Sequence, residues 1–202
     1  MTITTTVLTG DVINSRKEKP EVWLSNLKKA LNKYGKEPKN WEIYRGDSFQ
    51  LEVTTVNALE AAIYIKAKMK QKKNVDVRIA IGIGNKDYNA EKLTESNGSA
   101  FVHSGECFQH LKKQNLALKS DITQFDETLN LLLKLANLTM DNWLPATSRI
   151  VKTAMDNPNA NQNELAAILD KSQSNISEAL LRAGFDEIKQ LLQYYKTKIT
   201  AL

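Results

Sequence analysis

The chain has 202 residues, 42% apolar and 25% charged, with a formal net charge of +5. This is an ordinary globular composition with room for one large domain or two small ones, and the charge permits an anionic partner without requiring one. The single cysteine, Cys107, excludes an intrachain disulfide, and no apolar run approaches the ~20 residues of a membrane helix. The opening "MTITTTVLTGD" lacks a basic stretch and a long apolar core, so a cytoplasmic protein with no membrane partner is expected.

Ile3 to Leu8, rich in Thr, Val and Ile, reads as a strand ended by Gly10-Asp11. Val22, Trp23, Leu24, Leu27, Ala30 and Leu31 recur at helical spacing within Pro20 to Tyr34. Gly, Pro and Asn in Gly35 to Asn40 mark a loop. Trp41 to Arg45 and Phe49 to Thr55 read as strands joined at Gly46-Asp47, a hairpin signal. Ala58 to Lys70 is expected to be a helix, and Val75 to Gly84 a strand with Ile79, Ile81 and Ile83 alternating with smaller residues. Asn85 to Ser99 reads as a polar connection with room for one short helix, and Ala100 to Gln114 as a helix. Asp126 to Met140 is expected to be a packed or dimer-forming helix, with Leu129, Leu132, Leu133 and Ala136 on one face. No strand signal follows Pro145.

The order strand-helix-strand-strand-helix-strand matches the ferredoxin-like split motif. The expected class is therefore α+β: a ferredoxin-like, palm-type βαββαβ unit over residues 1–120, a connecting or dimerisation helix over 121–144, and an all-α unit over 145–202. The split motif sets the end of the first strand beside the central hairpin, bringing Asp11 and Asp47 together at one sheet edge. Two carboxylates there suit Mg²⁺ or Mn²⁺, which bind one or two carboxylates plus phosphate oxygens. The plainer alternative is that both aspartates shape turns, as Asp commonly does. Arg16, Arg45 and Arg78 are candidate phosphate partners.

The hairpin "YRGDSFQLEV" resembles the "RxGGDEF" hairpin of diguanylate cyclases and, more broadly, the palm of class III nucleotide cyclases. Together "TGDVINSR", "GDSFQ", "VRIAIGIG" and "GSAFVHSGE", spanning Thr6 to Leu111, resemble the SatD family of bacterial proteins. The resemblance implies a palm fold, metal positions at Asp11 and Asp47, and a nucleotide near Arg16 and Ser48. Ser48 stands where an active diguanylate cyclase has glutamate, and Arg45 where it has the first glycine; both departures argue against that activity. A metal-dependent nucleotidyl transferase or cyclase-like enzyme remains the alternative to a binding role.

His103, Cys107 and His110 fall at i, i+4 and i+7 and could ligate zinc. A buried structural cysteine is the simpler reading, because a helix starting near Ser104 would leave His103 outside. "KAKMKQKK" is read as a solvated helix end.

"NQNELAAILDKSQSNISEALLRAGF", Asn161 to Phe185, carries the most specific local pattern. Leu165, Ala166 and Leu169 form one short apolar face, Asp170-Lys171 a turn, and Ile176, Ala179 and Leu180 a second face. Ser172 or Ser174 can cap the second helix. The segment resembles bacterial helix-turn-helix regulators of the "QxELAxxLxxSQSxIS" kind, flanked by helices over Thr147 to Asp156 and Phe185 to Lys198. In that reading Gln173, Ser174, Asn175 and Ser177 meet bases or phosphates, and Lys171 and Arg182 meet backbone phosphates. The segment's near balance of charge favours the alternative, a helical hairpin for protein contacts. The combined expectation is a homodimeric DNA-binding regulator with a nucleotide- or metal-sensing palm.

Overall fold

The computed structural model describes residues 5–112 and 114–201. It is an α+β structure. The strands are β1 (Thr5–Ile13), β2 (Trp41–Tyr44), β3 (Ser48–Val53), β4 (Asp76–Gly84) and β5 (Leu116–Lys119). The helices are α1 (Pro20–Leu31), α2 (Ala58–Met69), α3 (Ser99–His110), α4 (Thr123–Met140), α5 (Pro145–Asp156), α6 (Gln162–Leu169), α7 (Gln173–Arg182) and α8 (Phe185–Thr200).

The sheet order is β2-β3-β1-β4-β5. β1 pairs antiparallel with both β3 and β4, so the first and last strands of the βαββαβ run lie side by side at its centre. β5 extends the sheet parallel to β4, with α3 as the crossover that parallel neighbours require. Ile79, Ile81 and Ile83 join the main core with Leu27, Leu31 and Ile63. Ala80, between them, packs on the opposite face with Cys107 and Leu111 of the α3 segment. The alternation along β4 therefore separates two buried faces.

Sequence expectation and structure differ at several places. β1 does not stop at Gly10-Asp11; it continues to Ile13 and turns at Asn14, whose φ is 64°. Gly10 is needed inside the strand because a Cβ there would lie 2.5 Å from the Phe49 ring and 2.7 Å from Arg78 O. The segment over Leu116 to Lys119 is a strand; its four residues are too few to show alternation, and its pairing depends on β4. α3 begins at Ser99, so His103 lies inside it, and it ends at His110 rather than Gln114. On α4, Leu129 and Leu133 are buried and Leu132 and Ala136 partly so, but the helix also carries Leu131, Leu135 and Leu138 out to solvent.

α3 lies very close to the sheet. A Cβ on Gly82 would fall 2.2 Å from Ala100 O and 2.2 Å from Ser104 N, both helix backbone atoms that cannot rotate aside. Gly82→Ala should therefore push α3 off β4 and cost about 3 kcal/mol, the upper range for overpacking. Urea unfolding checks this; a midpoint unchanged from wild type would show that α3 has room to shift.

The C-terminal helices dock on α2, on the turn that precedes it and on the chain just past α1. Tyr195 donates its hydroxyl to Thr55 O at 2.8 Å, Lys196 pairs with Glu60 at 2.7 Å, and Lys33 reaches Asp156 at 2.8 Å. One buried apolar cluster runs from Leu8 through Ile63 to Ile176 and Ile199. No helix among the described residues is long and apolar enough to cross a membrane.

Candidate functional site

The first candidate lies where β1 meets the β2–β3 hairpin. Asp11 stands opposite Ser48 in the β1–β3 ladder, and the next amide, Val12 N–H, donates to Asp47 O at 3.2 Å. Register thus brings Asp11, Asp47 and Ser48 together. Arg45 and Gly46, both at positive φ, form the tip that returns the chain.

Both carboxylates already have partners. Arg78 sits opposite Asp11 on β4 and donates from Nε to Oδ1 at 3.0 Å and from Nη2 to Oδ2. Ser15 Oγ donates to Asp47 Oδ2. Hydrogen bonding to Asp11 holds the Arg78 guanidinium above its ordinary pKa against partial desolvation, and Asp47 adds to the effect. The guanidinium also lies 5.5 Å from the Phe108 ring centroid. Arg16 and Arg45 are exposed nearby in sequence to the two aspartates. Of the three arginines, Arg78 is the one the fold fixes to a carboxylate; a lone arginine inside an apolar strand was the signal for it. Nothing in the sequence marked Ser15.

The bidentate Arg78 contact places a permanent cation where a metal would meet Asp11. Removing it should expose an unbalanced pair of carboxylates. Arg78→Ala is expected to gain a few degrees of melting temperature in Mn²⁺ where wild type gains none, by selective binding to the folded state. Adding Asp11→Asn should cancel the gain. An equal response of wild type and Arg78→Ala would show that the guanidinium does not compete with a cation.

His103, Cys107 and His110 are not brought into a metal site. His103 Nδ1 donates to Ile83 O at 2.7 Å, with Nε2 3.3 Å from Asp121. His110 Nδ1 contacts Glu106 O at 2.7 Å within its own helix. Burial pushes the Cys107 thiol up to about 12, which keeps it protonated and weakly nucleophilic. Among the described residues no group of three or more His, Cys, Asp or Glu side chains could hold a metal ion.

The second candidate is the α6–α7 pair. Asn161 opens α6 with a reciprocal cap: its side chain accepts from Glu164 N at 3.1 Å, and Glu164 accepts from Asn161 N at 2.7 Å. α6 stops because Asp170 adopts the left-handed conformation, φ 51°. Ser172 rather than Ser174 then caps α7, accepting from Asn175 N at 3.3 Å. Leu165, Ala166 and Leu169 of α6 and Ile176 and Ala179 of α7 are buried, with Leu180 half-buried at the edge. The two short apolar faces therefore close on each other across a three-residue turn.

The opening of α7 points away from that contact. Lys171, Gln173, Ser174 and Asn175 are exposed. Gln173 donates to Gln162 Oε1, a link across the turn that sequence spacing did not show. Ser177 is half-buried and lines a cavity between the C-terminal helices. Arg182 is exposed at the far end of α7, 3.3 Å from Glu178. No known protein family, curated protein or solved structure matches the chain.

Proposed function

We propose that this chain is a DNA-binding regulator, with α6–α7 as a helix-turn-helix and α7 as its recognition helix. The observation that carries the reading is the division of α7: Ile176 and Ala179 are buried, while Gln173, Ser174 and Asn175 open the helix in solvent with no packing role. A recognition helix offers its N-terminal residues to base edges, and Gln and Asn can bond adenine bidentately. Lys171 and Arg182 are the phosphate contacts in this reading. The test is titration of the full chain against genomic fragments and random duplex DNA at two salt concentrations. Sequence preference at the higher salt supports it; equal binding to every duplex, lost as salt rises, makes the pair a protein-contact hairpin.

The remaining parts take their place around that module. The βαββαβ run with β1 between β3 and β4 suits the palm-type, SatD-like unit that the motifs resemble, with residues 121–144 as the connection and 145–202 as the helix-turn-helix unit. A nucleotide with Mg²⁺ or Mn²⁺ would meet Asp11, Asp47, Ser48 and Arg16 there. Asp11 and Asp47 would hold such a metal only with Arg78 engaged by a phosphate instead of by Asp11. Ser48, where an active diguanylate cyclase has glutamate, and Arg45, where it has the first glycine, favour such a sensing role over a nucleotidyl transferase or cyclase-like enzyme. A homodimer would supply paired half-sites, and the solvent-facing Leu131, Leu135 and Leu138 are an apolar face for it. Light scattering at high protein concentration decides that last point; a monomer mass removes the dimer.

A further inference from the structure

The four C-terminal helices do not close completely on one another. A cavity of about 660 Å³ lies between α5, α6, α7 and α8. Small-molecule sites occupy roughly 300–1,000 Å³ and are mostly apolar with a few polar groups. Met155, Leu165, Leu180, Phe185 and Leu192 supply the apolar surface, one or more from each helix. Ala154 and Ala160 line it too, where larger side chains would have filled the space that protein interiors normally fill.

The rim is polar, but its charges are matched in place. Lys196 pairs with Glu60 at 2.7 Å and Lys189 with Asp186 at 2.8 Å. Its amides are also engaged: Asn161 caps α6, Asn157 donates to Thr153 O at 2.9 Å, and Gln162 accepts from Gln173. A charged ligand would meet a cation and an anion together at each pair, so the rim favours neither sign of charge. Ser177, by contrast, makes no side-chain hydrogen bond among the described residues, and it is half-buried on the cavity wall. We infer that this cavity is a binding site for a neutral, predominantly apolar small molecule that offers one hydrogen-bonding group to Ser177.

Ser177 and Leu180 belong to α7, so an occupant would touch the inner side of that helix. A consequence for DNA binding rests on the recognition-helix reading; ligand binding itself does not, and the following probe reports the cavity alone. N-phenyl-1-naphthylamine, neutral and fluorescent in apolar surroundings, is titrated into the full chain. Saturable enhancement at one site per chain is expected, displaced by 1-nonanol and not by nonanoate at equal concentration. Ala160→Phe, which narrows the cavity, should weaken the probe about tenfold or more, and Ser177→Ala should weaken displacement by 1-nonanol. If Ala160→Phe does not fold, methyl NMR of wild type during the 1-nonanol titration gives the same decision: shifts centred on Leu165, Leu180 and Leu192 are expected. Absence of saturable enhancement, equal displacement by nonanoate, or shifts centred instead on Leu131, Leu135 and Leu138 would overturn the assignment.

Discussion

Asp76→Ala should lower the stability of this protein by about 3 kcal/mol, and Lys66→Met by less, because Asp76 keeps Lys70 as a partner. Lys66 reaches from α2 with only 2% of its side chain exposed. Its Nζ lies 2.9 and 3.0 Å from the two Asp76 oxygens, and 2.7 Å from Asp141 Oδ1 at the end of α4. Lys70, one turn on, donates to Asp76 at 3.2 Å and to Asp141 O at 2.8 Å. Two cations thus converge on Asp76, itself mostly buried. Deleting the carboxylate leaves them facing each other with Asp141 alone. Breaking a buried pair costs about 3–5 kcal/mol, and the lower end applies because Asp141 remains. Lys66→Met removes the most desolvated charge, fills similar space and leaves Asp76 with Lys70, but it takes the cation from beside the buried Asp141 Oδ1, so some loss is expected. In a chain of this size the Asp76→Ala loss corresponds to roughly 6–12 °C in melting temperature. Calorimetry and urea unfolding read both variants; equal losses would show that Lys70 does not compensate Asp76 when Lys66 is gone.

This cluster also shows what single-sequence reading could not reach. The basic run that contains Lys66 and Lys70 has the composition of a solvated helix end, and Lys72 and Lys73 are indeed exposed. Lys66 is buried with two carboxylates converging on it, Asp76 on the next strand and Asp141 at the end of α4, a three-dimensional fact without a local signature. The same reasoning covers Arg78, whose partner Asp11 lies 67 residues away. β5 was hidden because four residues with two leucines carry no period, and only β4 gives them a partner. Gly10-Asp11 looked like a turn because Gly usually marks one; its cause is the Phe49 ring across the strand. On α4, counting leucines did not separate the buried Leu129 and Leu133 from the exposed Leu131, Leu135 and Leu138.

What was legible had local causes. The hairpin was marked by Gly46, although the positive φ values fall on Arg45 and Gly46 rather than on Gly46-Asp47, and the chain order of the first four strands follows from turn signals and alternation. The α6–α7 pair was legible almost to the residue. Its boundaries are set by a cap, a left-handed turn residue and a second cap, all within twelve positions from Asn161 to Ser172. The structure added the reciprocal cap at Asn161, the choice of Ser172 over Ser174, the half-exposed place of Leu180, the link between Gln162 and Gln173, and the place of Ser177 on a cavity wall.

That legibility sharpens the expected behaviour of α7. Gln173→Ala with Asn175→Ala removes two exposed amides and no buried atom, so the melting temperature should stay within about 2 °C of wild type, as for ordinary surface changes. Asn175 keeps its backbone bond to Ser172, so the cap survives. Gln173 loses its link to Gln162, which costs little at an exposed position. Binding to the preferred duplex should weaken by about 1–3 kcal/mol for each lost base contact, while binding to random duplex stays unchanged. Arg182→Ala behaves differently in this account. It gives up a solvent-exposed pair with Glu178 and a phosphate contact, so affinity should fall for all sequences alike and the salt slope should flatten by about one unit. Ile176→Asp is the contrasting control, because it puts a charge into a fully buried position between α6 and α7 and should unfold the pair. Titrations of each variant at two salt concentrations, beside its melting curve, separate these outcomes. A double alanine variant that folds normally and keeps full sequence preference would remove α7 as the recognition helix.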